Sequence, residues 1–417
     1  MESMFCTPLQ PTKLDDERMM MMKVMMIASG SDHDDDCGLA YGSRRSDLFM
    51  SHAGDMVHDL PDPLLLGMCE SFVNPQGYPC KEYQVTTEDG YILSMQNIPG
   101  GRFVKGSKGG KRQPVLLQHG LQMFRSGPFG NKNSLGSVLG PDRTTSTGNL
   151  LAICVWIWAQ HWPDPNSTTD PPKQFNSYDG LTWLLNNPDE SLGFILADSG
   201  FDVWIANARG TRWSLKHQSL NRTDLAYWAW SLDELVQYEL PAIVGFVHNQ
   251  TGKKMHFVGN SLGALVALAS FSEGKLVDML KSAALPTPIA YLKPYDLSHR
   301  STCCQSFPWR NTVRKGVTTK FDYGSPKANM VHYSQTEPSV YNMSNIPNDL
   351  PLFLSYGGQD AISDVYDVQL LLDCLKFHDG DKLTVQFVKD FAHMDFVMGV
   401  TAKSIVYNAM IAFFNRY

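Results

Sequence analysis

The chain has 417 residues, 43% hydrophobic and 11% aromatic, which is enough to bury a substantial core and excludes wholesale disorder. Its formal net charge of −7, with no clustered Lys and Arg, argues against nucleic acid as a partner. No apolar run reaches the roughly 18 residues that a membrane-spanning helix requires.

Residues 1–68 show no sustained period and carry a Met-rich patch and an acidic knot of Asp32, Asp34, Asp35 and Asp36. They read as a poorly ordered N-terminal segment. Residues 19–27, interrupted by Lys23, faintly resemble a signal peptide. That run follows Asp15, Asp16 and Glu17 and is short for an apolar core, so the compartment stays open. One ordered domain is expected over 69–417. Cys69 and Cys80 frame a short Pro/Gly segment, and read either as a local bridge of an oxidising compartment or as two buried thiols. Residues 82–87 and 91–98 alternate around Asp89-Gly90, which predicts a tight hairpin.

A strand–helix alternation follows. Val115-Leu116-Leu117 ends at His119-Gly120, and 201–206 is a second apolar strand before Arg209-Gly210. Residues 254–258 run into Gly259 and continue as an Ala/Leu-rich helix over 262–270. Residues 351–356 end at Gly357-Gly358 and precede a helix over 364–375; 383–388 is the last strand, and 401–414 a closing amphipathic helix. This pattern predicts an α/β fold, a mostly parallel central sheet with helices on both faces. Function is then expected in the loops at the carboxyl ends of the strands. Residues 124–178 fit poorly: rich in Gly, Pro, Ser, Thr and Asn around an apolar island at 150–162, they read as a flexible insertion.

Gly259-Asn260-Ser261-Leu262-Gly263 matches G-x-S-x-G between an apolar strand and a helix, the context a nucleophile elbow requires. A serine hydroxyl needs a base to take its proton and an acid to orient that base. In chain order after Ser261, Asp360 follows the strand at 351–356 and His393 follows the last strand, so these three form the predicted triad. Asp364 is the rival acid but is better placed as a helix cap. His332 precedes the acid strand, and Asp395 has no comparable strand-end position. The oxyanion needs two backbone N–H donors, expected from Leu262 and from Leu121 after His119-Gly120. No Walker motif, dinucleotide fingerprint or H-E-x-x-H occurs, so neither cofactor nor metal is expected. Asn166, Asn221, Asn249 and Asn342 begin glycosylation sequons.

Four runs resemble the acid lipase family, which includes gastric and lysosomal acid lipases. They are Gln118-His119-Gly120-Leu121, Asp179-Gly180-Leu181-Thr182-Trp183-Leu184-Leu185, Phe194-Ile195-Leu196-Ala197-Asp198 and Phe201-Asp202-Val203-Trp204-Ile205-Ala206-Asn207. Asn345-Ile346-Pro347 with residues 349–364 is most similar to the plant triacylglycerol lipases of that family. The resemblance covers about 67–417 less the insertion, and implies an α/β-hydrolase fold and the triad Ser261, Asp360 and His393. It also implies acylglycerols or sterol esters as substrates, contact with a lipid interface, and no cofactor.

Three departures stand against the family pattern. Asn260 occupies the position of a histidine, and 124–178 falls within the oxyanion loop, where it could misplace the Leu121 donor. The cap expected at about 291–323 is strongly shortened, with Cys303-Cys304 as its remnant. The readings are therefore a serine ester hydrolase, an impaired relative that binds lipid, or a thioesterase or acyltransferase built on the same elbow.

Overall fold

The computed structural model describes residues 63–102, 112–120, 123–124, 176–177, 179–291 and 317–417. The chain divides into two compact units, Met1–Leu66 with Ser126–Gly130, and Gly67–Arg125 with Asn131–Tyr417. Only 63–66, part of a short helix, are described in the first. Everything below concerns the second. Most of the expected N-terminal segment, insertion and cap, with Leu121, Cys303 and Cys304, lie outside the described residues.

The unit opens with two short helical turns, Cys69–Val73 and Asn74–Gln76, and Cys69 is disulfide-bonded to Cys80. Of the two readings open for this pair, the bridge is the one formed. Strands β1 (Lys81–Thr86) and β2 (Tyr91–Ile98) make the predicted antiparallel hairpin. Then come β3 (Pro114–Gln118), helix α1 (Leu192–Asp198), β4 (Asp202–Ala206) and the two-residue β5 (Lys216–His217). A helical run follows, capped by Ser231 and Glu234 in a reciprocal box and ending as α2 (Leu240–Thr251). β6 (Met255–Gly259), α3 (Leu262–Ser272), β7 (Leu280–Pro286) and α4 (Pro326–Tyr333) come next. The chain closes with β8 (Leu352–Gly357), α5 (Val365–Cys374), β9 (Leu383–Val388) and α6 (Asn408–Phe414).

The sheet order is β1-β2-β4-β3-β6-β7-β8-β9, with β5 beside β2. β2 is antiparallel to its neighbours β1, β4 and β5; the pairs from β4 to β9 are all parallel. Central strands have both faces covered, so β3 and β6 are buried at every residue. Side-chain alternation sends Leu116 into one core, with Ile243, Leu268 and Leu371, and Val115 and Leu117 into the other, with Leu196, Met410 and Phe413. Helices α2, α3 and α5 thus cover one face, and α1 and α6 the opposite one. α3 is apolar on all sides and is buried throughout. Each fully buried Leu, Val, Ile or Phe contributes about 1.5–3 kcal/mol, which fixes the strands in register and the loops at their carboxyl ends.

The ends of the expected insertion pair with each other, Met123 with Ser177 and Phe124 with Asn176, antiparallel. The chain therefore leaves and rejoins the fold at one place. No helix among the described residues is long and apolar enough to cross a membrane.

Candidate active site

The turn between β6 and α3 holds Ser261 at φ 55°, ψ −113°, a left-handed geometry that L residues rarely adopt and that persists only when its surroundings dictate it. Neighbouring glycines supply those surroundings. A Cβ at Gly259 would lie 2.7 Å from the Gly263 carbonyl oxygen, and one at Gly263 would lie 2.6 Å from that of Gln118. A Cβ at Gly120 would come 2.8 Å from Ser261 Cβ. The elbow thus packs directly on the end of β3, where Asn260 N–H donates to the Gln118 carbonyl at 3.2 Å. Leu262 begins α3, and the N–H groups of a first helical turn have no acceptor within the helix and carry partial positive charge.

Asp360 and His393 follow β8 and β9, and these two loops are joined. Gly358 N–H donates to Val388 O at 3.0 Å, and Gln359 N–H to Phe391 O at 3.0 Å. Such closeness requires glycine: a Cβ at Gly357 would lie 2.0 Å from Phe391 O, and one at Gly358 2.3 Å from Lys389 O. Asp360 Oδ1 accepts from the N–H groups of Ile362 and Ser363, both at 2.8 Å. His393 Nδ1 lies 2.8 Å from Asp360 Oδ2 and 3.1 Å from Oδ1. A carboxylate only accepts, so Nδ1 carries a proton and donates to Asp360. His393 Nε2 is buried and, among the described residues, has no hydrogen-bond partner, Ser261 included. Of the three residues predicted to act together, two are bonded, and the third stands at the same end of the sheet without a hydrogen bond to them.

Residues beyond β7 link the elbow to the acid loop, and sequence reasoning missed them. Asn260 Nδ2 donates to Thr287 Oγ1 at 2.8 Å, and both residues are buried. Thr287 has φ 52° and donates its N–H to Ser355 O at 2.8 Å. Ser363 Oγ donates to Pro288 O at 2.7 Å.

His119 is fully enclosed. Its Nε2 accepts from Ala208 N–H at 3.0 Å, so Nδ1 carries the proton and donates to Gly120 O at 2.6 Å. Burial pushes its pKa below the usual 6.5, which keeps the ring neutral. The Ala208 loop is itself anchored by Arg209, whose buried guanidinium bonds Glu239 at 2.9 Å and Asp89 at 2.6 Å over the Tyr91 ring. Burial raises the Glu239 carboxyl pKa against the opposing pull of Arg209.

The rival residues have other roles. Asp364 caps α5, its Oδ1 accepting from Tyr366 N–H at 2.8 Å. His332 is exposed on α4, stacked on Tyr323 with centroids 3.5 Å apart. Asp395 Oδ2 accepts from Ala392 N–H at 2.7 Å and so braces the loop that carries His393.

A family model described as a partial alpha/beta-hydrolase lipase region matches residues 69–127. Triacylglycerol lipase 2 of Arabidopsis thaliana is 39% identical over 84% of this chain and 88% of its own length. Triacylglycerol lipase 1 of the same plant is 28% identical over 88% of this chain and 94% of its own. Gastric triacylglycerol lipase of Rattus norvegicus is 28% identical over 81% and 88%. Identity of this extent, on a parallel sheet carrying a serine elbow and an Asp–His pair, shows that the chain belongs to the acid lipase family of α/β-hydrolases, a family of lipases and carboxylic ester hydrolases.

Proposed function

We propose that this chain hydrolyses lipid esters, acylglycerols or sterol esters, through an acyl-enzyme on Ser261. His393 Nε2 takes the hydroxyl proton as Ser261 Oγ attacks the ester carbonyl carbon, and Asp360 stabilises the imidazolium that forms. The tetrahedral oxyanion takes hydrogen bonds from Leu262 N–H and, in this reading, from Leu121 N–H. Collapse expels the alcohol with the proton from His393; water then enters by the same base and releases the fatty acid. The observation that carries the reading is the buried Asp360–His393 pair, with a His393 Nε2 that has no hydrogen-bond partner among the described residues, at the end of the sheet where Ser261 stands. A hydrogen bond from Ser261 to Nε2 must form for the first step, and such bonds often tighten only when substrate is bound.

The test is hydrolysis of short- and long-chain p-nitrophenyl esters by the wild type and by Ser261→Ala, with fluorophosphonate labelling of both. Turnover is expected to fall at least about 10⁴-fold in the variant, with the label found only on wild-type Ser261. Undiminished turnover by Ser261→Ala would refute the mechanism. The open link between Ser261 and His393 favours one second reading, an impaired relative that binds lipid. Wild type that binds ester without cleaving it or taking the label would establish that reading instead.

A further inference from the structure

Strand β7 lies in the sheet between β6, which leads into Ser261, and β8, which leads into Asp360. The residues that follow β7 therefore stand between the nucleophile's turn and the acid's loop. Thr287 is the first of them, fully buried and held at φ 52°. A positive φ is rare outside glycine and rarer still for a β-branched residue, so the surroundings must hold this backbone in place. Thr287 N–H donates to Ser355 O at 2.8 Å, one residue beyond the point where Pro286 stands opposite Ser355 in the β7–β8 register. Its Oγ1 accepts from Asn260 Nδ2 at 2.8 Å. The Asn260 amide also faces the end of β3, since a Cβ at Gly120 would lie 3.1 Å from its Oδ1. On the acid side, the carbonyl of the next residue, Pro288, accepts from Ser363 Oγ at 2.7 Å, and Ser363 N–H donates to Asp360 Oδ1 at 2.8 Å.

Two short paths thus leave this turn, one through Asn260 to the adjoining Ser261 and one through Ser363 to Asp360. Glycine at 287 would relieve the backbone, but only a side chain with an acceptor satisfies the buried Asn260 amide. The strained threonine is explained by its hydroxyl. We propose that Thr287 is a positioning residue that fixes where Ser261 stands relative to Asp360 and His393, a role that rests on the proposed ester hydrolysis at Ser261. It acts through Asn260 and the acid loop and transfers no proton itself.

Three variants separate the hydroxyl from the turn. Thr287→Gly relieves the backbone and deletes the acceptor, Thr287→Ser keeps the acceptor, and Asn260→Ala deletes the donor. In ester hydrolysis Thr287→Gly is expected to lower kcat by on the order of 10- to 10²-fold with little change in KM, because misplacement acts on the chemical step. Thr287→Ser is expected to bring kcat back to within about threefold of wild type. Thr287→Gly with Asn260→Ala is expected to lose no more than the worse single variant, because both remove the same bond. Thermal melts confirm that each variant is folded. Amide hydrogen exchange, read by mass spectrometry in peptides spanning 259–263 and 360–363, follows the same link without activity. Thr287→Gly is expected to speed exchange in both by at least about tenfold, and Thr287→Ser to match wild type. A wild type that cleaves no ester would refute the hydrolase reading, and exchange would then decide whether Thr287 joins the two loops. Wild-type kcat in Thr287→Gly, equal losses in the Gly and Ser variants, losses that multiply in the double variant, or unchanged exchange in both peptides would overturn the proposal.

Discussion

Asp360 and Asp364 stand on one loop, yet their carboxylates serve different partners. Asp360 holds Nδ1–H of His393 at 2.8 Å, whereas Asp364 accepts from the first N–H groups of α5. In Asp360→Asn the amide stabilises the wrong imidazole tautomer, so kcat is expected to fall by about 10⁴-fold with little change in stability. Asp364→Ala is expected to keep kcat and lose about 1 kcal/mol of unfolding free energy, the worth of a helix cap. Ester hydrolysis and urea unfolding of the two variants measure both numbers, and exchanged outcomes would reassign the acid. At this scale the contact between Asp360 and His393 could be anticipated, because acyl transfer would need a base and its acid at strand ends in that chain order. The Asn260–Thr287 and Ser363–Pro288 bonds were not, since each joins residues far apart in sequence that carry no shared signature.

Among the elements, those with uniform apolar runs could be read before the structure: β3, β4, β6, β8 and β9, with the helices after β6 and β8, lie within a few residues of their predicted limits. β7 was missed because Lys281 and Ser282 break its apolar run, and only its place between β6 and β8 makes it a strand. The helical run before β6 was also missed, although Ser231-Leu232-Asp233-Glu234 carries the capping-box signature that could have announced it. Gly357-Gly358 was taken as a strand-ending turn; in the fold it lets two elements touch. Gly357→Ala sets a methyl 2.0 Å from Phe391 O, backbone against backbone, and so separates the acid loop from the histidine loop. Displacement of about 1 Å at a catalytic pair costs on the order of 10²-fold, which is the expected fall in kcat. Gly380→Ala, whose methyl meets nothing within 4 Å, is the matched control and is expected to keep full activity. Equal activity in the two variants would show that the junction does not position the pair.

At the scale of the whole molecule, every buried titratable group couples to the same unfolding equilibrium, and pH reveals the balance. His256, enclosed on β6, bonds Ser282 through Nδ1 at 2.7 Å and stacks on Phe414. Burial, helped by the nearby Lys281 charge, pushes its pKa from the usual 6.5 down to about 3. His119 is lowered in the same direction. For His256, between these limits the unfolded chain binds a proton that the folded chain refuses, so the stability this ring contributes is present in full above pH 6.5 and is lost as pH falls toward 3. The raised carboxyl of Glu239 acts in the opposite sense, since its folded form binds a proton more readily than its unfolded form. For His256 the loss amounts to about 2 kcal/mol between pH 7 and pH 5, at 1.36 kcal/mol per pH unit below its unfolded pKa. His256→Gln keeps a polar side chain beside Ser282 and removes the titration. The variant is expected to be less stable than wild type at pH 7, and that difference is expected to shrink by about 2 kcal/mol at pH 5. Urea unfolding of both proteins across this range measures it directly. A constant gap would mean that the ring takes up its proton in the folded state as readily as in the unfolded one, and acid sensitivity would then have to originate elsewhere in the core.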